Sequence, residues 1–528
     1  MSEFGEGMRV RKDALQQAAP AGGLHRPILA PGRNCRQIAT AHRASFLVDA
    51  ESYFGALEKA LRGATRSVFI VGWDFDARIQ LRPQDGPDAP TLGAMLRHLV
   101  ENQPDLEIRI LVWSLAAVHA PGASIPLVFG AEWEEHPRIH LRLDTHHPIQ
   151  AAHHQKIVII DDSLAFVGGM DLTIGRWDTP QHVRDDPRRH WPDGSPCSPV
   201  HDLQMALDGP AARAVARVAR DRWRRAVGEE VPFMEVEERW PENLAVDFTE
   251  VPVAIARTVP GLGGRRGVEE IAALTDDLLC AAERSIYIEA QYFTARRLRK
   301  ILRQVLSPPD GPEIVVVCTR HANGIIERFI MGANRERLLR SLKRWDRHGR
   351  LRVYCPVLDG LEDDGAMLVH AKLMIADDRF LRIGSANLNN RSMGLDTECD
   401  VVIEADRAQT GEAIALCRDR LIAEHLGVEL AQVRETMQRE GSLIRTIEKL
   451  NSRSGRCLCP LTIDPGPRHS FPGTRLLDPE RPFRVMEWLR AFWRSSFGQE
   501  AVSDARDRDR NASERTSRML PMKSGRRK

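Results

Sequence analysis

The sequence predicts an α/β protein made of two duplicated domains, each a mixed β-sheet flanked by helices, packed with pseudo-twofold symmetry. Three observations predict it. First, "HHQKIVIIDD" (153–162) and "VHAKLMIADD" (369–378) carry His, Lys and Asp at one shared spacing: His154, Lys156, Asp161 and His370, Lys372, Asp377. Second, other segments recur in the same order around both stretches, as in an internal repeat. Third, each repeat alternates amphipathic helical patterns with short apolar runs, the pattern of layered helices and sheet.

Residues 1–40 are punctuated by Gly and Pro and read as a flexible N-terminal segment. The first copy spans 41–235 and opens with the helical pattern "YFGALEKALRGA" (53–64). "ALRGATRSVFIVGWDFD" (60–76) then matches "LLCAAERSIYIEAQYFT" (278–294), with Ser67 on Ser285, Ile70 on Ile288 and Phe75 on Phe293. "LEIRILVW" (106–113) matches "PEIVVVCT" (312–319), and "RIHLRL" (138–143) matches "RLRVYC" (350–355). The two His-Lys-Asp stretches follow, and after them come "FVGGMDLT" (166–173) and "RIGSANLN" (382–389). A Pro-rich insertion at 177–200 lengthens the first copy, and "ARAVARVARDRWRRAV" (212–227) reads as its closing helix. The second copy spans 250–430 and contains the helical pattern "IIERFIMGANRERLLRSLKRW" (325–345). A C-terminal extension (431–500) holds one helix, "LAQVRETMQREGSLIRTIEKL" (430–450), a Pro/Cys-rich loop, and a Trp-rich helix, "FRVMEWLRAFWRSSF", docked on the core. Residues 501–528 read as a disordered basic tail.

With 42% hydrophobic and 28% charged residues the chain is globular in composition, and a net charge of +2 offers no broad field for nucleic acid. Nine scattered cysteines suggest reduced thiols, and the lone pair Cys457/Cys459 is too little for a metal site. No signal-peptide pattern and no run of ~18 apolar residues is present, so no transmembrane segment is expected. The expected location is cytoplasmic and peripheral at a membrane, with export by a signal-independent route left open.

On an extended strand, residues i and i+2 share a face. His154 and Lys156 therefore project together, as do His370 and Lys372. Each Asp, five positions past its Lys, falls on the opposite face, where it suits the pinning of a turn. Two copies facing each other bring two imidazoles and two ammonium groups together. The natural guest is a phosphoryl group, which needs cations on its oxygens and in-line groups on either side. One His can attack phosphorus; the other can protonate the leaving alkoxide and then activate water or an alcohol. The lysines do the electrostatic work, so no metal or cofactor is expected. Internal duplication also removes the need for a dimer, so a monomer is expected.

A nucleophilic His needs its second nitrogen held. Glu398, before a strand of the second copy, and Asp202, at the matching place in the first, are the candidates; both also suit strand-edge charges. Asn387 with Ser385, and Asp171 with Gly169, stand past the glycines near the expected phosphate rim. Asp171 is acidic where Asn387 is neutral, so the half-sites are not equivalent.

H-x-K-x4-D followed by G-[GS]-x-[DN], present twice over about 46–406, resembles the phospholipase D superfamily. "IYIEAQYFT", "GSANLNNRSMGLDTE" and "GMDLTIGRWDTPQH" are similar to its lipid-hydrolysing branch. The resemblance implies phosphodiester cleavage or transphosphatidylation through a phosphohistidine, on a phospholipid such as phosphatidylcholine. It makes His154, Lys156, Asp161, His370, Lys372 and Asp377 the catalytic set, with His154 the nucleophile and His370 the acid. The insertion at 177–200, with His182, His190 and Trp191, is expected to shape the head-group pocket. The competing readings are a cardiolipin-synthase-like transferase, a nucleic-acid phosphodiesterase, and a non-catalytic scaffold on the same fold.

Overall fold

The computed structural model describes residues 26–114, 133–148, 150–191, 193–234, 237–320, 331–358, 367–452, 455–462 and 478–481. The first copy contributes β1 (Gln37–Val48), β2 (Ser67–Gly72), β3 (Glu107–Trp113), β4 (Ile139–Asp144), β5 (Ile157–Ile160), β6 (Leu164–Gly168), β7 (Val200–His201) and β8 (Leu203–Asp208). The second contributes β9 (Phe248–Val259), β10 (Val268–Glu269), β11 (Ser285–Ala290), β12 (Glu313–Cys318), β13 (Leu351–Val357), β14 (Leu368–Val369), β15 (Lys372–Ala376), β16 (Phe380–Gly384) and β17 (Glu398–Glu404); β18 (Cys457–Pro460) follows.

Apart from β7 and β14, these strands form one sheet in the order β18-β13-β12-β11-β15-β16-β17-β9-β1-β8-β6-β5-β2-β3-β4, with β10 on β9. The order is a palindrome in the repeat. Outward from the central antiparallel pair β1–β9, each copy runs through its strands in the same sequence, with the same parallel or antiparallel sense at each step. This is a pseudo-twofold axis through the β1–β9 contact.

Period-two alternation explains the layers. On β5, Ile157 and Ile159 point into a core shared by both copies, while Val158 and Ile160 point into a core of the first copy alone. On β15, Leu373 and Ile375 enter the shared core, and Met374 and Ala376 enter a core of the second copy. The helices Gly209–Val227 and Ala408–Leu426 supply Trp223, Val215, Leu421 and Ile422 to the shared core. Each such side chain contributes about 1.5–3 kcal/mol on burial, so the copies are welded rather than merely adjacent.

Several expectations are corrected. Strands β1 and β9, which join the copies, had not been read from the sequence. Residues 26–36, expected to be loose, are docked: Arg33 and Asn34 bond Asp277, and Ile28 N donates to Glu404. The helix expected over 430–450 is two helices, Leu430–Glu440 and Leu443–Leu450. Gly441 adopts φ 59° between them, and the Ser442 side chain caps the second. Cys457 and Cys459 lie on strand β18 rather than a loop, paired to β13. The pattern at 325–345 gives the helix Ala333–Trp345, and its first residues lie outside the described ones, as do 483–497 and 501–528. All nine cysteines are free thiols. No described helix is long and apolar enough to cross a membrane.

Candidate active site

Each His-Lys-Asp stretch ends in a tight turn. Asp161 and Asp162, like Asp377 and Asp378, hold positive φ (51°, 54°, 57° and 54°), which Asp tolerates better than most residues. The Asp161 carboxylate accepts from the backbone N–H groups of Thr65, Arg66 and Ser67 at 2.8–2.9 Å, and Asp377 does the same for Glu283, Arg284 and Ser285. The third members of the catalytic set thus sit at the far end of the strand, tying its exit to the start of β2 or β11. They stand apart from the imidazoles.

His154 and His370 lie on the extended lead-in just before β5 and β15, not on the strands themselves. Those lead-ins cross between the copies. His153 bridges in parallel to Thr397, and His154 N donates to Thr397 O at 2.9 Å. Val369 on β14 pairs in parallel with His201 on β7, and His370 N donates to His201 O at 2.8 Å. The residues after Thr397 and His201 are Glu398 and Asp202. In consequence His154 Nδ1 meets Glu398 at 3.0 and 3.1 Å, and His370 Nδ1 meets Asp202 Oδ2 at 2.6 Å. The sequence had placed one candidate acid in each copy; the structure pairs each with the histidine of the other copy.

The lysines also differ. Lys156 pairs with Asp171 at 2.8 Å and lies 6.0 Å from the Trp73 ring centre, and Asp171 also accepts from Trp73 N. Lys372 donates to Gln291 at 3.0 Å and lies 3.1 Å from His370 Nδ1. Gln291 and Trp73 are equivalent in the repeat, and neither had been picked from the sequence. Once the two copies are aligned on Ser67 and Ser285, both positions stand out as the residue just past the strand.

Ser385 Oγ donates to Glu398 Oε2 at 2.5 Å and so braces the acid that holds His154. Its counterpart, Gly169, has no room for a side chain, because a Cβ there would stand 2.1 Å from Asp202 Oδ1. The Gly/Ser difference is steric. Gly169→Ala is therefore expected to displace Asp202 and cut turnover at least about tenfold, measured as steady-state rate beside a thermal melt. Asn387 keeps its backbone N–H on Ser392 Oγ at 3.2 Å, and its Oδ1 is buried without a hydrogen bond.

The electrostatics follow from burial. Both imidazoles are held well below the usual histidine range by desolvation, reinforced by Lys372 and, for His154, by Lys156. Burial drives Lys372 down to about 7 and Glu398 up to about 7. Asp202 goes the other way. Burial would raise it, but the facing His370 and Lys372 outweigh that and hold it at about 2. Each imidazole thus has Nδ1 engaged by an acid, which leaves Nε2 as its other nitrogen. Arg176 adds positive charge that both His370 and Lys372 feel. From the insertion, Trp191 is 39% exposed, whereas His182 is buried away from solvent.

A family model described as "Phospholipase D" matches residues 142–252, and one described as "Cardiolipin synthase, PLD-like domain" matches residues 276–416. Phospholipase D1 of Schizosaccharomyces pombe is 24% identical over 511 residues, covering 74% of this chain and 36% of that protein. Phospholipase D zeta 1 of Arabidopsis thaliana is 30% identical over 226 residues, covering 36% of this chain and 20% of its own length. The chain thus spans about a third or less of the curated relatives it first matches. The solved structure of phosphatidylserine synthase from Haemophilus influenzae overlays with a TM-score of 0.50 at 13% identity, covering 74% of this chain and 89% of that one, a likeness of fold. With a family match on each half and relatives spanning both, the chain belongs to the phospholipase D superfamily, beside members of its lipid-hydrolysing branch.

Proposed function

We propose that the protein is a phospholipase D, which hydrolyses the distal phosphodiester bond of a glycerophospholipid such as phosphatidylcholine and also transfers the phosphatidyl group to alcohols. The observation that carries this reading is the crossed pair of imidazole–carboxylate contacts beside two buried lysines. His154 Nε2 attacks phosphorus, and the head-group oxygen leaves with a proton from His370 Nε2. His370, now neutral, takes a proton from water or an alcohol, whose oxygen attacks the phosphohistidine and frees His154. Lys156, Lys372 and Asn387 hold the phosphoryl oxygens.

The half-sites suit different roles. Asp202 stays ionised and close to His370, which favours an imidazolium there and hence the acid. Glu398, pushed up to about 7, exerts a weaker pull on His154 and leaves a neutral nucleophile. An anion entering between the lysines lowers the cost of their charge and of protonating His370. The enzyme would meet the bilayer from outside.

The test is incubation with phosphatidylcholine vesicles, with and without a primary alcohol. Choline release plus a phosphatidyl-alcohol is expected. The family match over 276–416 favours a second reading, transfer to another lipid's hydroxyl. Cardiolipin formed from phosphatidylglycerol, with no choline released from phosphatidylcholine, would select it. A folded protein that releases nothing from either lipid would overturn both.

A further inference from the structure

Behind Asp202 lies a second cluster that the proposed reaction does not use. His201 Nδ1 stands 3.0 Å from Asp49 Oδ1 and 2.9 Å from Glu424 Oε1. His182 Nε2 stands 3.2 Å from Glu424 Oε1 and 3.4 Å from Asp49 Oδ2. The side chains of Asp49, His182 and His201 are fully buried, and Glu424 is 9% exposed. The four residues come from both copies: the start of the helix Asp49–Arg62, the 177–200 insertion, strand β7 and the helix Ala408–Leu426.

The far nitrogens are held as well. His182 Nδ1 is bonded to Asp178 Oδ2 at 2.9 Å, and His201 Nε2 to Glu289 Oε2 at 2.8 Å. Those carboxylates are themselves anchored, Asp178 by Arg189 at 2.6 Å and Glu289 by Tyr287 at 2.6 Å and His425 at 2.8 Å. A ring that gives its N–H to an outer carboxylate turns a lone pair inward, the arrangement that orients metal-ligating histidines. Here both inward nitrogens face carboxylate oxygens. His201 Nδ1 and Asp49 Oδ2 are buried with no hydrogen bond of acceptable direction. Acids gathered in a dry pocket need positive charge among them, which either protons on both rings, with Arg456 nearby, or one metal ion can supply.

We infer that Asp49, His182, His201 and Glu424 form a closed site for one divalent transition metal of the zinc class. Zinc bonds to nitrogen and oxygen of about 2.0–2.1 Å place tetrahedral donors roughly 3.3 Å apart; one donor atom from each residue lies within 4.8 Å of the others, and their nearest contacts run from 2.9 to 3.4 Å. Four protein donors leave no open position, so the metal is structural. It binds the insertion and the helix of the second copy to β7, next to Asp202, whose backbone O accepts from Asp49 N at 2.9 Å. The site thereby positions Asp202 against His370.

The experiment uses the full chain, purified without chelator. Elemental analysis should find about one zinc per chain. Protein stripped with a chelator should take up Zn²⁺ alone, saturating near one equivalent, with its thermal midpoint rising by several degrees. Co²⁺ in its place should give the intense visible absorption of a tetrahedral centre. His182→Gln and Glu424→Gln should each weaken Zn²⁺ binding at least about tenfold. Native protein without metal, together with stripped wild-type protein that shows neither saturable Zn²⁺ uptake nor a shifted midpoint, would overturn the site. The cluster would then be a network of two imidazolium ions. The stripped wild-type measurement holds even where a variant fails to fold.

Discussion

His154→Ala and His370→Ala are each expected to abolish turnover of phosphatidylcholine, by at least about 10⁴-fold, while leaving the thermal midpoint close to wild type. His154 is half-buried and lies on an extended lead-in outside the strands, so its loss removes chemistry before it removes stability. The two variants are expected to part company on an activated substrate. A phosphodiester with a nitrophenolate leaving group needs no general acid in the first step. His370→Ala should therefore release about one equivalent of nitrophenolate in a burst and then stall as the phosphoenzyme. His154→Ala, lacking the nucleophile, should give no burst. A burst from His154→Ala and none from His370→Ala would reverse the assignment. Near wild-type rates in either variant would dispose of the shared site.

Asp202→Asn should lower kcat by about 10²–10⁴-fold, with a change of pH profile that a structural lesion would not produce. The ionised carboxylate, 2.6 Å from His370 Nδ1, stabilises the imidazolium form of that ring. Removing its charge lowers the pKa of His370 in the complex. The protonated acid is then lost at a lower pH, so the alkaline limb of kcat moves toward acid. Glu398→Gln perturbs the other ring and should slow formation of the phosphoenzyme while leaving that limb in place. The crossing supplies a further check. In double-mutant cycles Asp202 should couple to His370, and Glu398 to His154. Coupling within each copy, Asp202 with His154, would contradict the exchange of acids.

The sequence by itself determined the duplication, the class of fold and the two His-Lys pairs that the fold brings beside their acids. Each of these is written in local spacing. The i, i+2 relation aims His and Lys together wherever the chain is extended, and a repeat can be aligned without knowing where it packs. The doubled acidic residues at 161–162 and 377–378 likewise mark a left-handed turn that short polar side chains tolerate.

What only the tertiary structure decided is which copy completes which half of the site. His154 and Glu398 are 244 positions apart, and His370 and Asp202 are 168 apart. Their meeting depends on lead-in strands that cross between copies and on the long β1–β9 pairing. Periodicity says which face of a strand is apolar, but not which strand that face or edge will meet. Gly169 shows the same limit. In the sequence it is an unexplained departure from Ser385; in the fold it is the only residue small enough to stand beside Asp202. The charge states belong to the fold as well. Desolvation pushes Lys372 down and Glu398 up to about 7, with Lys156 adding to the fall of Lys372, and burial of that kind exists only after the two copies close on each other.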